Sequence, residues 1–276
     1  MMDGIKSADF SGLFFLCKLK AKRRKKEAEP MAMIGVLGGM GPMATADLFV
    51  KMIENTKAQT DQEHLSILIY NNPHIPSRID AILHGTLSPE AELVRSAKLL
   101  ERSGADFIVI PCNTAHFWFA AVQKAVTIPV LHIIDTVAEH LLKAQKYEAQ
   151  EIMLFATEAT VRTGLYQQCL SEKGLSFLTP QPEEQKLISQ AIGEVKGGQI
   201  KGSPCLEQIR AIMERYRRKG VKAFIAGCTE IPLLFAKVQG DFKTVDPTLL
   251  LAQRAVQLAR KLERKEQERR ALCIRV

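Results

Sequence analysis

One stretch of this chain occurs twice, and this repetition constrains the fold more than any other feature. The two copies cover residues 104–114 and 220–230. Each reads as the end of a helix at a glycine, then a buried strand, and then a cysteine eight residues after the glycine with polar residues behind it. The shared spacing predicts a duplicated half-molecule in which Cys112 and Cys228 occupy equivalent positions.

The rest of the sequence from Met33 onward alternates strands with helices. An apolar strand, the turn GGMGP and an amphipathic helix over residues 44–56 open the first half, and residues 151–170 open the second half in the same style. This order predicts an α/β fold of two similar doubly wound parallel-sheet domains related by pseudo-twofold symmetry. Open α/β sheets bind ligands at the carboxyl ends of their strands, so we expect the active site between the two domains.

The predicted elements also indicate where the domains begin and end. We expect a disordered basic extension over residues 1–30, a first domain over 31–135 together with a returning C-terminal helix over 247–276, and a second domain over 136–246. Within these domains, residues 71–78 contain two prolines and are expected to form a loop. Residues 163–170 are expected to form one helix.

Charge, hydrophobicity and cysteine spacing argue against several classes of protein. The 276 residues have a formal net charge of +8, but residues 1–30 hold eight Lys/Arg against four Asp/Glu and residues 254–276 hold eight against three. The body is therefore near neutral, which argues against a nucleic-acid partner. No apolar run approaches the roughly 20 residues of a membrane span. Six irregularly spaced cysteines without a CxxC pair indicate no disulfide framework and no metal site, and favour a cytoplasmic protein.

Two cysteines in equivalent positions of facing domains suit a particular chemistry. A substrate carbon between them has one sulfur on each face, so one thiolate can remove a proton while the opposite thiol returns one. The negative charge that develops next to a carboxylate needs hydrogen-bond donors, and no cofactor motif is visible to supply them. Asn113, Thr114 and Thr229, directly behind the cysteines, are placed for this role. Taken singly, each cysteine is more often a buried structural thiol.

Two further features leave alternatives open. The turn GGMGP before a helix places backbone N–H groups where an anion could sit, or it is a tight connection without a ligand. Arg78 follows a strand-end loop and could bind a carboxylate through its two-pronged guanidinium, although such an arginine is more often a surface residue.

The chain resembles the aspartate/glutamate racemases that work without pyridoxal phosphate. Four motifs carry the resemblance: GGMGP followed by Ala44-Thr45, Asn72-Pro-His-Ile-Pro with Arg78, Pro111-Cys-Asn-Thr-Ala-His116, and Gly227-Cys-Thr-Glu230. Glutamate racemases of this superfamily usually have histidine where Glu230 stands, so the chain looks more similar to an aspartate racemase. His74 and Gly193 depart from the family pattern, which often has Gln and Tyr there.

The resemblance implies a role for each matching residue. Cys112 and Cys228 are the two proton donor/acceptors, and Asn113, Thr114 and Thr229 hold the α-carboxylate. Met40 lines the site, Arg78 binds the side-chain carboxylate, and Lys196 lies near it, with Lys186 as a weaker candidate. The resemblance further implies aspartate or glutamate as substrate, no cofactor, and a homodimer.

Two other functions compete with racemisation. The chain could be another enzyme of the superfamily, similar to maleate isomerases or arylmalonate decarboxylases, or a dicarboxylate-binding protein tethered to an anionic surface by its basic N-terminal segment. Arg78 and the presence of both cysteines favour a dicarboxylic amino acid. The other cysteines have no comparable context and are assigned no role: Cys17, Cys169, Cys205 and Cys273.

Overall fold

The computed structural model describes residues 31–144, 147, 148, 150–198 and 204–274. The extension predicted over residues 1–30 lies outside the described residues. The chain divides into a compact unit, Ala32–Arg260, and a second unit that contains Lys261–Val276. The domain boundaries at residues 135 and 247 stay predictions.

Strands and helices alternate through the unit Ala32–Arg260. The strands are β1 (Met33–Gly38), β2 (Ser66–Asn71), β3 (Phe107–Val109), β4 (Val130–Leu131), β5 (Ile152–Phe155), β6 (Ala223–Ala226) and β7 (Thr244–Val245). The helices are α1 (Pro42–Asn55), α2 (Arg78–His84), α3 (Glu90–Arg102), α4 (Phe119–Ala125), α5 (Ile133–Ala144), α6 (Glu158–Arg162), α7 (Leu165–Ser171), α8 (Pro182–Lys196), α9 (Cys205–Arg218), α10 (Ile231–Phe235) and α11 (Pro247–Ile274), which continues beyond this unit.

The strands form two parallel sheets with the same strand order. The first sheet has the order β2-β1-β3-β4, and the second has the order β5-β6-β7. A parallel bridge between Met153 and Leu178 adds a short neighbour to β5, in the place that β2 takes beside β1. Thus β1 corresponds to β5 and β3 to β6. The predicted fold class, two similar parallel-sheet α/β halves, is confirmed.

Each half has its own apolar core. In the first half, helix α3 and the segment around Trp118 pack on the sheet through residues such as Leu93 and Ile108. In the second half, α8 and α9 pack on β5 and β6 through residues such as Ile188 and Met213. Strands covered on both faces read as continuous apolar runs, which explains why the central strands were readable from sequence. Cys112 and Cys228 lie within these two cores.

The glycine turn after β1 requires glycine at one position for two reasons. Gly39 has φ +97°, in the left-handed region that other residues rarely adopt. A Cβ placed there would also collide with the backbone of Asn72. Thr45 secures the same turn, because its hydroxyl accepts a hydrogen bond from the Gly39 N–H at 2.9 Å and donates one to the Gly41 carbonyl at 3.1 Å. At least one backbone N–H of this turn therefore already has a hydrogen-bond partner within the protein.

The helix expected over residues 163–170 is present as α7, which begins at Leu165 and ends at Ser171. Two short helices were not predicted. The first is α6, which Thr157 caps through the Thr160 N–H and which Gly164, at φ +68°, separates from α7. Helix α2 was not predicted, since Arg78 was treated as the end of a loop. The Ser77 hydroxyl accepts from the Asp80 N–H and starts this helix at Arg78.

Helix α11 contacts the first half through the part that belongs to the compact unit. Gln253 donates a hydrogen bond to Asn55 of α1 at 3.1 Å. Nearby, Lys51 of α1 forms an ion pair at 2.7 Å with Asp246, which precedes the helix. These contacts fix the start of α11 against α1. No helix in the described residues combines the length and apolar character that crossing a membrane requires.

Candidate active site

The two cysteines lie at the carboxyl ends of corresponding strands in the two sheets. Cys112 follows the carboxyl end of β3, and Cys228 follows the carboxyl end of β6. Each is 6% exposed. Because β3 and β6 occupy equivalent positions in their sheets, the two copies of the repeated stretch each place one thiol at the carboxyl end of a central strand.

A single cavity brings together all eight residues predicted to form the site. Its lining includes both cysteines together with Met40, Arg78, Asn113, Thr114, Lys196 and Thr229. Ile79, Thr157 and Glu230 also line it. The cavity measures about 10 Å³, roughly what one water molecule needs, so it is too small for an amino acid in this structure. Lys186, the weaker candidate, is paired with Glu183 at 3.0 Å and is not among the lining residues. The roles of these residues stay predictions.

Cys228 is hydrogen-bonded to a buried carboxylate. Its Sγ donates to Oε2 of Glu230 at 2.9 Å, and the Thr229 hydroxyl points to the same oxygen at 3.4 Å. Glu230 is 2% exposed. Burial, followed by the negative charge of Glu230, raises the pKa of Cys228 well above its usual value, and Lys196 opposes this only in part.

Two cations reach the cavity from different halves. Lys196 ends α8 and is exposed as a whole residue, yet its side chain lines the cavity. Desolvation lowers its pKa, but electrostatic interaction with the acidic groups Cys228, Glu230 and Cys112 outweighs that effect, so its pKa is raised and the ammonium persists. Arg78 starts α2 and donates from Nη1 to the carbonyls of Ile75 and Pro76 at 3.0 and 2.9 Å.

Polar residues behind Cys112 connect the two halves. The Tyr166 hydroxyl on α7 donates to Oδ1 of Asn113 at 2.7 Å. The hydroxyl of Thr114 lies 3.1 Å from that of Thr157 and 2.8 Å from that of Thr160. These contacts are buried, so they are strong constraints on how the loop behind Cys112 faces the second half.

Two buried donors at the cavity have no partner within the described residues. They are Nδ2 of Asn113 and Nε of Arg78. Leaving a buried donor unpaired costs about 1–3 kcal/mol, and more for a charged group. Since both residues line the cavity, their free N–H groups suit a ligand that accepts hydrogen bonds, such as a carboxylate. Among the described residues, no group of three or more His, Cys, Asp or Glu could hold a metal ion.

His116 holds the Cys112 loop in place. The Ile133 N–H donates to its Nε2 at 3.2 Å, so Nδ1 carries the proton and donates to the Cys112 carbonyl at 2.8 Å. His132 packs edge-on against its ring, with centroids 4.8 Å apart. Burial and the neighbouring His132 lower the pKa of His116 to about 3, so it stays neutral in the folded protein.

The buried neutral His116 predicts loss of stability in acid. The unfolded chain takes up this proton below about pH 6.5 and the folded chain only near pH 3, so stability falls as pH drops through this window. We expect the free energy of unfolding to lose about 1.4 kcal/mol per pH unit from this group. Urea titrations between pH 7.5 and 4.5 should show a shallower dependence in His116→Asn, with His84→Gln, exposed on α2, as the control for replacing a histidine. Equal slopes in wild type and His116→Asn would contradict this prediction.

Sequence reasoning assigned no site role to Thr157, Ile79 or Glu230. The sequence does place Thr157 in the turn after β5. Threonine is a common N-cap residue, and this was the available signal that Thr157 lies at the carboxyl end of that strand. Ile79 depends on helix α2, which was not predicted. Glu230 was noted as a departure at the position after Cys-Thr. Its contact with the Cys228 sulfur appears only in the folded structure.

Several known proteins are similar to this chain over most of its length. The broad-specificity amino-acid racemase RacX of Bacillus subtilis is 27% identical over 228 residues, which cover 81% of this chain and 96% of that protein. The aspartate racemase structure from Picrophilus torridus is 30% identical and has a TM-score of 0.74, covering 83% of this chain and 94% of that one. An aspartate racemase homologue from Pyrococcus horikoshii is 29% identical with a TM-score of 0.67, covering 83% and 99%.

More distant relatives share the fold. The glutamate racemase structure from Francisella tularensis, solved with D-glutamate, is 20% identical with a TM-score of 0.61 and covers 85% of this chain and 83% of that one.

Residues 37–255 match the family described as Asp/Glu/Hydantoin racemase. With its two parallel-sheet halves and the matching residues spanning both of them, the chain belongs to the Asp/Glu/Hydantoin racemase family.

Proposed function

We propose that this protein interconverts L- and D-aspartate without a cofactor, with glutamate as the second candidate substrate, by proton transfer between Cys112 and Cys228. The observation that carries the proposal is the shared cavity, which one cysteine from each half lines. Family membership supports racemisation in general, and the two cysteines supply its acid and base.

The charges at the cavity suit an amino acid with two carboxylates. Arg78 and Lys196 place two cations at the cavity, and the unpaired Arg78 Nε and Asn113 Nδ2 add free donors. In our proposal Asn113, Thr114 and Thr229 hold the α-carboxylate while Arg78 holds the side-chain carboxylate. These donors stabilise the negative charge that develops when the Cα proton leaves, which is the largest barrier in the reaction.

Substrate binding requires the site to open. Aspartate is far larger than the one water molecule that the cavity can hold. The lining comes from both halves, so a small separation of the halves or of the lining side chains admits the substrate. Closure then excludes water, which strengthens each electrostatic contact to the developing charge.

The name of one relative supports aspartate as the substrate, and the name of another supports a broader range. RacX is named for broad specificity and the Picrophilus torridus protein for aspartate, and this chain resembles both to a similar degree. From the resemblance we further propose a homodimer. From the cysteine pattern, the charge distribution and the hydropathy of the sequence we propose that it works in the cytoplasm, without nucleic-acid or membrane partners.

Exchange of the Cα proton with solvent tests the proposal directly. The protein is incubated in D₂O, without added cofactor, with L-aspartate, D-aspartate, L-glutamate or D-glutamate, and the Cα signal is followed by proton NMR. We expect washout from both enantiomers of aspartate, and the mirror-image product by chiral chromatography. Binding of aspartate without exchange would instead identify a dicarboxylate-binding protein. Consumption of maleate or an arylmalonate, with no exchange from either amino acid, would identify another enzyme of the superfamily.

A further inference from the structure

The two cysteines do not have equivalent surroundings. The Cys228 sulfur donates to the Glu230 carboxylate at 2.9 Å, whereas no hydrogen bond joins the Cys112 sulfur to a carboxylate in the part of the chain that the structure describes. Glu230 is buried, and its other carboxylate oxygen, Oε1, lies against the glycine turn: a Cβ added at Gly41 would be 3.7 Å from it. A carboxylate fixed between a thiol and a backbone turn cannot easily move away from the sulfur.

We infer that Glu230 is a positioning residue that keeps the Cys228 sulfur protonated in the free enzyme, so that Cys228 begins the reaction as the proton donor and Cys112 as the acceptor. The inference deepens the proposed function and rests on it. Ionised Cys228 would place two negative charges at hydrogen-bond distance in a buried site, which is costly. The thiol form instead gives the carboxylate a hydrogen-bond donor.

Each turnover exchanges the protonation states of the two cysteines. When the Cα–H bond breaks, the proton goes to the Cys112 sulfur; the carbanion then takes the proton of the Cys228 S–H bond. The enzyme is left with a Cys112 thiol and a Cys228 thiolate beside Glu230. Before the next turnover in the same direction, a proton must return from Cys112 to Cys228 through water. Glu230 therefore makes one of the two free-enzyme forms the resting form, and that form accepts the enantiomer whose Cα–H faces Cys112.

Other titratable or charged groups lie near Cys228 and bear on its protonation. They are Lys196 on α8, Arg78 on α2, Cys112 behind β3 and the Tyr166 hydroxyl on α7. Lys196 acts against Glu230, because its positive charge favours the thiolate. Within the described residues, Glu230 makes a hydrogen bond to the Cys228 sulfur and these four groups do not. Removing its charge is therefore the direct test.

The ionisation of Cys228 can be measured without turnover. In Cys112→Ala, thiolate absorbance near 240 nm is followed against pH, and the signal of Cys112→Ala/Cys228→Ala is subtracted to remove the other cysteines. We expect the Cys228 transition to move down by about one to three pH units when Glu230→Gln is added, because a like charge is lost. Glu230→Asp keeps the charge and should give a transition between the two. Circular dichroism confirms that each variant is folded.

A matched control separates the local effect from the loss of any buried carboxylate. Glu184 is also buried in the second half, where it accepts a hydrogen bond from the Tyr216 hydroxyl at 2.9 Å and pairs with Arg215. Glu184→Gln should leave the Cys228 transition in place. An unchanged transition in folded Glu230→Gln, or in folded Glu230→Ala if the amide variant does not fold, would overturn the inference. Absence of Cα exchange in wild type would overturn the proposed function and leave the thiol titration interpretable.

The pH dependence of kcat/KM is a second test, because a purely structural role of Glu230 would not change it. If Glu230 sets the resting form, Glu230→Gln should shift the pH dependence of kcat/KM in both directions of the reaction, with Glu230→Asp restoring most of the wild-type profile. A uniform loss of activity at all pH values, without a change in profile, would contradict a role in holding the proton.

Discussion

Replacing Cys112 or Cys228 with alanine is expected to lower the rate of aspartate racemisation by about a hundredfold to ten-thousandfold, the range for losing a general acid or base. The physical reason is that each sulfur serves one face of the substrate, so neither can replace the other. Both variants should remain folded, since alanine leaves the backbone hydrogen bond from the Cys112 N–H to Ile110 unaffected. Racemisation is measured by polarimetry or chiral chromatography.

Solvent exchange distinguishes the two cysteines from each other. With one thiol left, a variant can still remove the proton that faces it, so each variant should show at most slow exchange from one enantiomer, and the two variants should show opposite preferences. Cys205→Ala, which removes an equally buried thiol outside the cavity, is the control and should retain wild-type racemisation. Full activity in either Cys112→Ala or Cys228→Ala would rule out the two-cysteine mechanism.

Replacing Arg78 with methionine is expected to give the second largest effect, on substrate binding and choice. If the guanidinium pairs with the side-chain carboxylate, loss of the guanidinium should lower kcat/KM for aspartate. The expected fall is equivalent to about 2–5 kcal/mol, the range for other buried charge pairs. Asparagine has no such carboxylate, so its low kcat/KM should change much less. The preference for aspartate over asparagine, measured by competition, is therefore the diagnostic quantity.

Two further variants separate binding from structure in this prediction. Arg78→Lys keeps the charge but loses the planar fork, so it should recover only part of the preference. Arg162→Met removes an exposed arginine that pairs with Glu158 at 3.7 Å on α6, and it should change neither quantity beyond error. An equal fall in kcat/KM for aspartate and asparagine in Arg78→Met would indicate that Arg78 supports the fold through Ile75 and Pro76 instead of selecting the substrate.

Much of the fold was readable from the sequence because its signals are local. Buried parallel strands give short apolar runs, and the amphipathic helices between them give a different period. The repeated spacing around Cys112 and Cys228 located two equivalent strand ends, and the sheets have matching strand order. The two short helices that were not predicted each begin at a single capping residue: the Ser77 hydroxyl starts α2, and the Thr157 hydroxyl caps α6.

The candidate site was readable only in part, since its residues meet through long-range packing. Motif resemblance selected eight residues that the structure places around one cavity. It did not reveal the Tyr166–Asn113 hydrogen bond between residues 53 positions apart, nor the Thr114–Thr160 contact across 46 positions. No local pattern predicts such contacts, because they depend on how two separately formed halves face each other.

The sequence by itself determined the two α/β halves and the placement of a cysteine at the end of a central strand in each, because periodicity and strand-end chemistry are properties of short segments. Only the tertiary structure decided that the cavity is narrow, that Lys196 reaches it from the end of α8, and that the Glu230 carboxylate accepts a hydrogen bond from the Cys228 sulfur. Side-chain direction and burial there follow from packing between the halves. That packing makes two cysteines with matching sequence positions chemically different.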